Sequence, residues 1–337
     1  MKEHSYLNFD LSIDQIDAAY RARVLQSAAG EGSVEFGLPF SNLELENFIL
    51  KLGHNRRRTQ RKIRGSDSVE MAAAKEIGGR LFNAVFQGEV YACLHATISA
   101  AQSSGQGVRI LLRLNPGLGD LPWEYLYNAA WNQFFSLSAD TPIVRYLELN
   151  PPIRPLPVSP PLRMLVMISS PSDFAALDTQ DEWQRLNTAL QPLIEGGLLD
   201  LDLLDHADLL TLQRKLRQET YHIFHFIGHG AFDEINQDGM LMFCDEKGRG
   251  MPLSGQNLGA ILHDHRSLRL AVLNACEGAR TSREDPFAGA AHSLVQMGLP
   301  AVIAMQFEIS DTAAVLFAQE FYTALVDGYP VDAHTLG

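Results

Sequence analysis

Two side chains in this 337-residue sequence have the setting of a base and a nucleophile. His229 ends the run Tyr221-His222-Ile223-Phe224-His225-Phe226-Ile227-Gly228-His229-Gly230, and Cys276 ends Leu270-Ala271-Val272-Leu273-Asn274-Ala275-Cys276 just before Glu277-Gly278. Each run is a short apolar, β-rich segment that stops at a reactive side chain beside glycine. Two parallel strands would present such residues together at one edge of a sheet. A cysteine attacks as thiolate and needs a base or positive charge nearby. In that chemistry Cys276 attacks a scissile carbonyl, and His229 manages the thiol and leaving-group protons. The backbone amides of Gly230 and Cys276 are the candidate oxyanion hole, since Gly230 lets backbone come close to a bound carbonyl. No third carboxylate stands out.

Other uses of these residues stand beside that one. A free cysteine is often a small buried hydrophobe, and Cys93 and Cys244, inside apolar runs, read as core. His222, His225, His229 and Cys276 together resemble a zinc set. Strand periodicity puts His225 and the continuation to His229 on one face and His222 on the other, which argues against it. The expectation is therefore no metal and no cofactor. A nucleotide site is the other common use of an α/β sheet, but G-x-x-x-x-G-K-[ST] is absent and Gly228-His229-Gly230 lacks a third glycine. Asp173, after the first strand of the regular region, and Asp311, after the fifth, could line a P1 pocket selecting Arg or Lys. Asp311 also reads as a helix N-cap, and Glu277 either orients a loop or is simply solvated.

The elements that must position this pair form a regular alternation. Strands are expected at 162–168, 198–204, 221–227, 268–273 and 300–305, and helices at 181–195, 207–219, 254–262, 287–297 and 311–326. Repeated strand–helix–strand units imply a doubly wound, mostly parallel sheet with helices on both faces. Ser254 and Asp311 sit where N-caps belong, and Gly196, Gly298 and Gly328 where helices stop. Residues 239–244 and 251–253 flank a polar tip and read as a β-hairpin. His229 and Cys276 then lie just past the ends of two successive strands, on the edge where such sheets bind ligands.

Upstream the pattern is less regular. Residues 14–27, 41–52 and 69–86 carry apolar residues at helical spacing, so residues 1–104 read as a mainly helical region. The basic run at 56–64 is a solvated loop between helices or, less simply, an anion, nucleic-acid or partner contact. A strand at 108–114 precedes Leu121-Pro122-Trp123-Glu124-Tyr125-Leu126-Tyr127, whose apolar load suggests a docking surface between subdomains. Another strand at 142–149 runs into the Pro-rich linker at 151–157. Residues 105–155 thus form a small β-containing lobe with its linker, making a mixed α+β N-terminal portion, and 156–337 form the α/β domain.

Composition supports an ordinary globular protein: 46% hydrophobic, 20% charged, with a formal net charge of -13. Acidity argues against a nucleic-acid or anionic-membrane partner. The absence of a long apolar span or a signal-peptide core points to the cytoplasm. Three scattered cysteines make no disulfide framework and leave at least one thiol free.

The spacing of 47 positions from His229 to Cys276 matches the roughly 50 expected of caspases, and Asn274-Ala275-Cys276-Glu277-Gly278 is close in form to their Q-A-C-x-G motif. More specifically, the chain resembles the CHAT-domain proteins, a caspase-like, separase-related group of clan CD. The matching stretches are His225 to Gly230, Leu273 to Ala279, Gly298 to Gln306, Leu121 to Tyr127 and Ser170 to Asp173. The resemblance implies a caspase-like fold, with 105–155 a pseudo-caspase-like lobe and 156–337 the catalytic domain. It implies a cysteine endopeptidase with His229 and Cys276 as its pair, cutting a protein substrate. A regulated bacterial protease in signalling or defence, with a TPR-type or sensor partner, is the expected setting. A catalytically silent CHAT scaffold or adaptor is the alternative. The family runs on through a further helix after Pro330 to Ala333, which implies more chain beyond Gly337.

Overall fold

The computed structural model describes residues 5–41, 43–45, 47–48, 69–119, 121–147, 158–236, 238–280, 286–305 and 311–333, with backbone alone at 69, 70, 116, 275–280, 286, 311–313 and 333. The basic run at 56–64 and the Pro-rich linker at 151–157 lie outside the described residues. The chain divides into two compact units, 1–146 with 327–337, and 147–326. Among the described residues no helix is long and apolar enough to cross a membrane.

The first unit is built on a five-stranded sheet of order β3-β2-β1-β4-β7, from β1 (Tyr6–Ile16), β2 (Ala19–Gln26), β3 (Gly32–Phe36), β4 (Gly107–Leu114) and β7 (Ile143–Arg145), while β5 (Tyr127–Asn128) and β6 (Gln133–Phe134) form a separate two-stranded sheet. Helices α1 (Val69–Val85) and α2 (Gly88–Ser104) accompany it. The helix expected at 14–27 is instead the β1–β2 hairpin, and the physical reason is visible in the side chains. Ala22 and Val24 are buried while Arg21 and Arg23 are exposed, a period of two. Asp17 takes φ +50 in the tight turn, a conformation Asp tolerates better than most residues. The cluster expected to be a docking surface is part of this unit's own core: Trp123 and Leu126 are fully buried, and the Trp123 indole N–H donates to the Leu118 carbonyl at 2.8 Å. Buried Asp10 pairs with Arg113 at 2.7 Å on neighbouring β1 and β4.

The second unit carries the regular alternation. Its parallel strands are β8 (Leu162–Ile168), β9 (Leu199–Leu203), β10 (Ile223–Asp233), β13 (Leu270–Arg280) and β14 (Ala301–Ala304), paired in the order β9-β8-β10-β13-β14. Counting along the chain this is 2-1-3-4-5, so the connections switch direction between β8 and β10, where open α/β sheets bind ligands. The hairpin strands β11 (Asp238–Cys244) and β12 (Gly250–Ser254) are antiparallel and follow the far half of β10. β8 is apolar apart from Arg163, because both faces of its remainder are covered. One face packs Leu165, Met167, Phe224, Phe226, Ala271 and Leu273 with α4 (Leu209–Gln218), α5 (Gly255–His263) and α6 (Pro286–Gln296). On the other face lie α3 (Thr179–Glu195) and α7 (Asp311–Val326), which pack on each other.

Several local features fix these elements. Ser254 caps α5 by accepting from the Asn257 N–H at 3.2 Å, and Asp178 and Asp208 cap α3 and α4 in the same way. Gly298 and Gly328 take positive φ after α6 and α7. Gly196 caps the C-terminus of α3 as expected, and the next residue, Gly197, takes the left-handed conformation.

Candidate active site

The strand β10 and its neighbour β13 run in step from Ile223 opposite Leu270 to Gly228 opposite Ala275, and resume at Gly230 opposite Arg280. Between these pairs β10 has one residue, His229, while β13 has residues 276–279, the first of them Cys276. The ladder therefore breaks at the step occupied by both. This refines the expectation that the two residues lie just past strand ends: both strands continue, and the pair sits where their parallel pairing is interrupted. An extra loop of chain in one strand is how sheets re-aim residues next to active sites.

The same step is where β8 leaves β10. The Ser169 N–H donates to the Ile227 carbonyl at 2.8 Å, its hydroxyl donates to the Met242 carbonyl at 2.6 Å, and from Gly230 onward β11 takes the place beside β10. Gly228 fits because there is no room for a side chain: a Cβ would stand 2.8 Å from the Phe226 ring and 3.0 Å from the Ser169 carbonyl. Gly230 has ladder partners on both sides, Leu241 and Arg280.

His229 is 1% exposed. Its Nε2 lies 2.8 Å from the carbonyl of Ala175, and its ring is 5.3 Å from that of Phe174. A carbonyl only accepts, so Nε2 carries a proton, and in the neutral ring Nδ1 keeps the lone pair. Nδ1 is buried and has no hydrogen-bond partner among the described residues. The Ala175 carbonyl is a contact of His229 that sequence reasoning missed. It is a backbone group, so no side-chain signal marks it; only the loop's position after β8 could have suggested it.

The other histidines have separate tasks. The Nδ1 of His222 accepts from the Arg163 N–H at 3.0 Å. Burial first, then Arg269 and Arg163, holds its pKa below the ordinary value. His225 is buried, with Nδ1 2.6 Å from the Tyr322 hydroxyl, and burial pushes its pKa down to about 4. Its Nε2 has no partner among the described residues. His225, Ile227 and Asn274 form the floor of a shallow cleft walled by Leu186 of α3 and Phe317 and Ala318 of α7. No group of three or more potential metal ligands occurs among the described residues.

Asp173 accepts from the Gly250 N–H at 2.7 Å through Oδ1. Asp311 is the first residue of α7, and its side chain, like those of Cys276 and Glu277, lies outside the described residues. Cys93 is buried as expected, whereas Cys244 is only partly so, with Sγ 3.7 Å from the Ser169 hydroxyl.

No curated protein matches the sequence. A family model described as CHAT domain matches residues 75–333, well over half of the chain. With an α/β unit of this topology at its centre, the chain belongs to the CHAT-domain family, which is related to the caspase-like cysteine peptidases.

Proposed function

We propose that the chain is a cysteine endopeptidase acting on a protein substrate, with Cys276 as nucleophile and His229 as its acid and base. The observation that carries this reading is the ladder break shared by the two residues, with one nitrogen of His229 engaged by Ala175 and the other buried without a partner among the described residues. Nδ1 takes the thiol proton, and the thiolate attacks the scissile carbonyl carbon. The tetrahedral oxyanion is met by the amides of Gly230 and Cys276, a donor of this kind lowering the barrier by about 3 kcal/mol. As the C–N bond breaks, His229 returns its proton to the leaving amine. Water, deprotonated by the same nitrogen, then hydrolyses the thioester. The Ala175 carbonyl does what a carboxylate does in a Ser-His-Asp triad: it fixes the tautomer and the ring orientation.

Specificity follows from the surroundings. With one oxygen of Asp173 committed to Gly250, Asp311 is the acidic candidate for selecting Arg or Lys at P1. A second reading, a catalytically silent scaffold, is favoured by one observation: His229 is 1% exposed and meets substrate only if its surroundings open. A thiol-directed activity probe separates the two. Labelling of the wild type that is lost in Cys276→Ala supports the peptidase; no labelling under any activating condition supports the scaffold.

A further inference from the structure

The loop that presents the Ala175 carbonyl to His229 runs from Ser169 to Asp178 and has no regular structure. Within it, the Phe174 N–H donates to the Pro171 carbonyl at 3.1 Å and the Leu177 N–H to the Ser170 hydroxyl at 2.9 Å. Two further bonds tie it to the turn between β11 and β12. The Ser172 N–H donates to the Gly248 carbonyl at 2.8 Å, and the Gly250 N–H donates to the Asp173 carboxylate at 2.7 Å. That turn is itself braced, since the Asp245 carboxylate accepts from the N–H groups of Lys247 and Arg249, each at 2.8 Å. Phe174 packs so closely on Gly250 that a Cβ there would stand 2.5 Å from its ring. The ring of Phe174 in turn faces His229, and the next carbonyl in the chain is the one His229 binds.

From these contacts we infer that Asp173 is a positioning residue for His229: by clamping the Gly250 N–H it holds the loop so that the Ala175 carbonyl keeps the imidazole in its Nε2–H tautomer, with Nδ1 free to take a proton. The inference rests on the cysteine-peptidase reading for its catalytic consequence, but not for its geometry. A backbone carbonyl on an irregular loop has no rigidity of its own. The orientation of the imidazole is therefore set by whatever fixes that loop, and Asp173 is the side chain that hydrogen-bonds it to Gly250 at the hairpin turn. Asparagine retains an acceptor oxygen at the same place; alanine does not. Gly250→Ala disturbs the clamp from the opposite side, by driving a methyl group into the Phe174 ring.

The test is nitrogen NMR of the full chain labelled at its histidines, with the His229 signals assigned by their loss in His229→Gln. Wild type and Asp173→Asn should show His229 as a single Nε2–H tautomer, while Asp173→Ala and Gly250→Ala should show a mixture. In steady-state cleavage, Asp173→Ala should lower kcat about 10- to 100-fold with little change in KM, a partial loss of general acid–base assistance, and Asp173→Asn should restore it. An unchanged single tautomer in both Asp173→Ala and Gly250→Ala overturns the inference. Cleavage that survives Cys276→Ala would instead overturn the peptidase reading and leave the tautomer result to judge Asp173 alone.

Discussion

Gly228 of β10 pairs with Ala275 of β13, and this is the last in-step pair before the two strands part company. The residues that follow are His229 and Cys276. A parallel register that holds for six consecutive pairs, Ile223 to Gly228 against Leu270 to Ala275, brings the backbone of both to one step of the sheet. The break in the β10–β13 ladder lies at the level where β8 leaves the other side of β10, and the β8–β10 switch is where open α/β sheets bind ligands.

Gly228 holds this register, and replacing it should be costly. A methyl group would press on the Phe226 ring and on the Ser169 carbonyl, and Ser169 is tied both to Ile227 and to Met242. Gly228→Ala should lose about 1–3 kcal/mol of stability, the usual cost of overpacking. Urea unfolding checks this.

His225 should make stability pH-dependent. Burial holds its pKa near 4 in the folded protein, against 6.5 when unperturbed. The unfolded chain therefore takes up the proton first, and stability present above pH 6.5 is lost as pH falls from about 6.5 towards about 4, by up to about 3 kcal/mol. His225→Leu should be less stable than wild type at pH 7 but show a shallower decline across this window. Urea midpoints measured between pH 7 and pH 4.5 compare the two; parallel curves would remove His225 as the cause.

Asp238, at the start of β11, ties two helices to the hairpin. Its buried carboxylate accepts from the Ser293 hydroxyl of α6 at 2.7 Å and from the Gln256 N–H of α5 at 3.0 Å. Asp238→Ala leaves two donors unsatisfied and should cost about 1–3 kcal/mol per stranded group. Thermal unfolding of Asp238→Ala beside Asp238→Asn measures the loss, and the asparagine should recover part of it.

The proposed role of Asp311 in substrate choice sets a further expectation. If Asp311 selects P1, peptide libraries should return Arg or Lys there, and Asp311→Asn should lower kcat/KM for those peptides about 10-fold or more, the equivalent of about 1.4 kcal/mol. Cleavage after apolar residues only would end this role for Asp311.

Much of the second unit was legible in the sequence because each element carried its own signal. β8 runs from Leu162 to Ile168 as its apolar run indicates, α7 spans Asp311 to Val326, and Ser254 caps its helix. Less legible was where β10 and β13 end. Gly228 and Asn274 look like strand terminators, yet both strands continue because β11 and the resumed ladder supply new partners. The β1–β2 hairpin was hidden for another reason: its apolar residues also fit a helical spacing, and only pairing with β4 and β3 settles the choice. Within the site, His229 and Cys276 announce themselves by type and setting. The Ala175 carbonyl and the Asp173–Gly250 clamp depend on backbone placement and carry no such mark.

The central claim is that Cys276 is the nucleophile of a peptidase, and proteome-wide mapping of new N-termini tests it most directly. Wild-type protein should generate a defined set of cleavage sites that disappears in Cys276→Ala and falls about 100-fold or more in rate in His229→Ala. The same sites appearing at the same rate with Cys276→Ala would contradict the account.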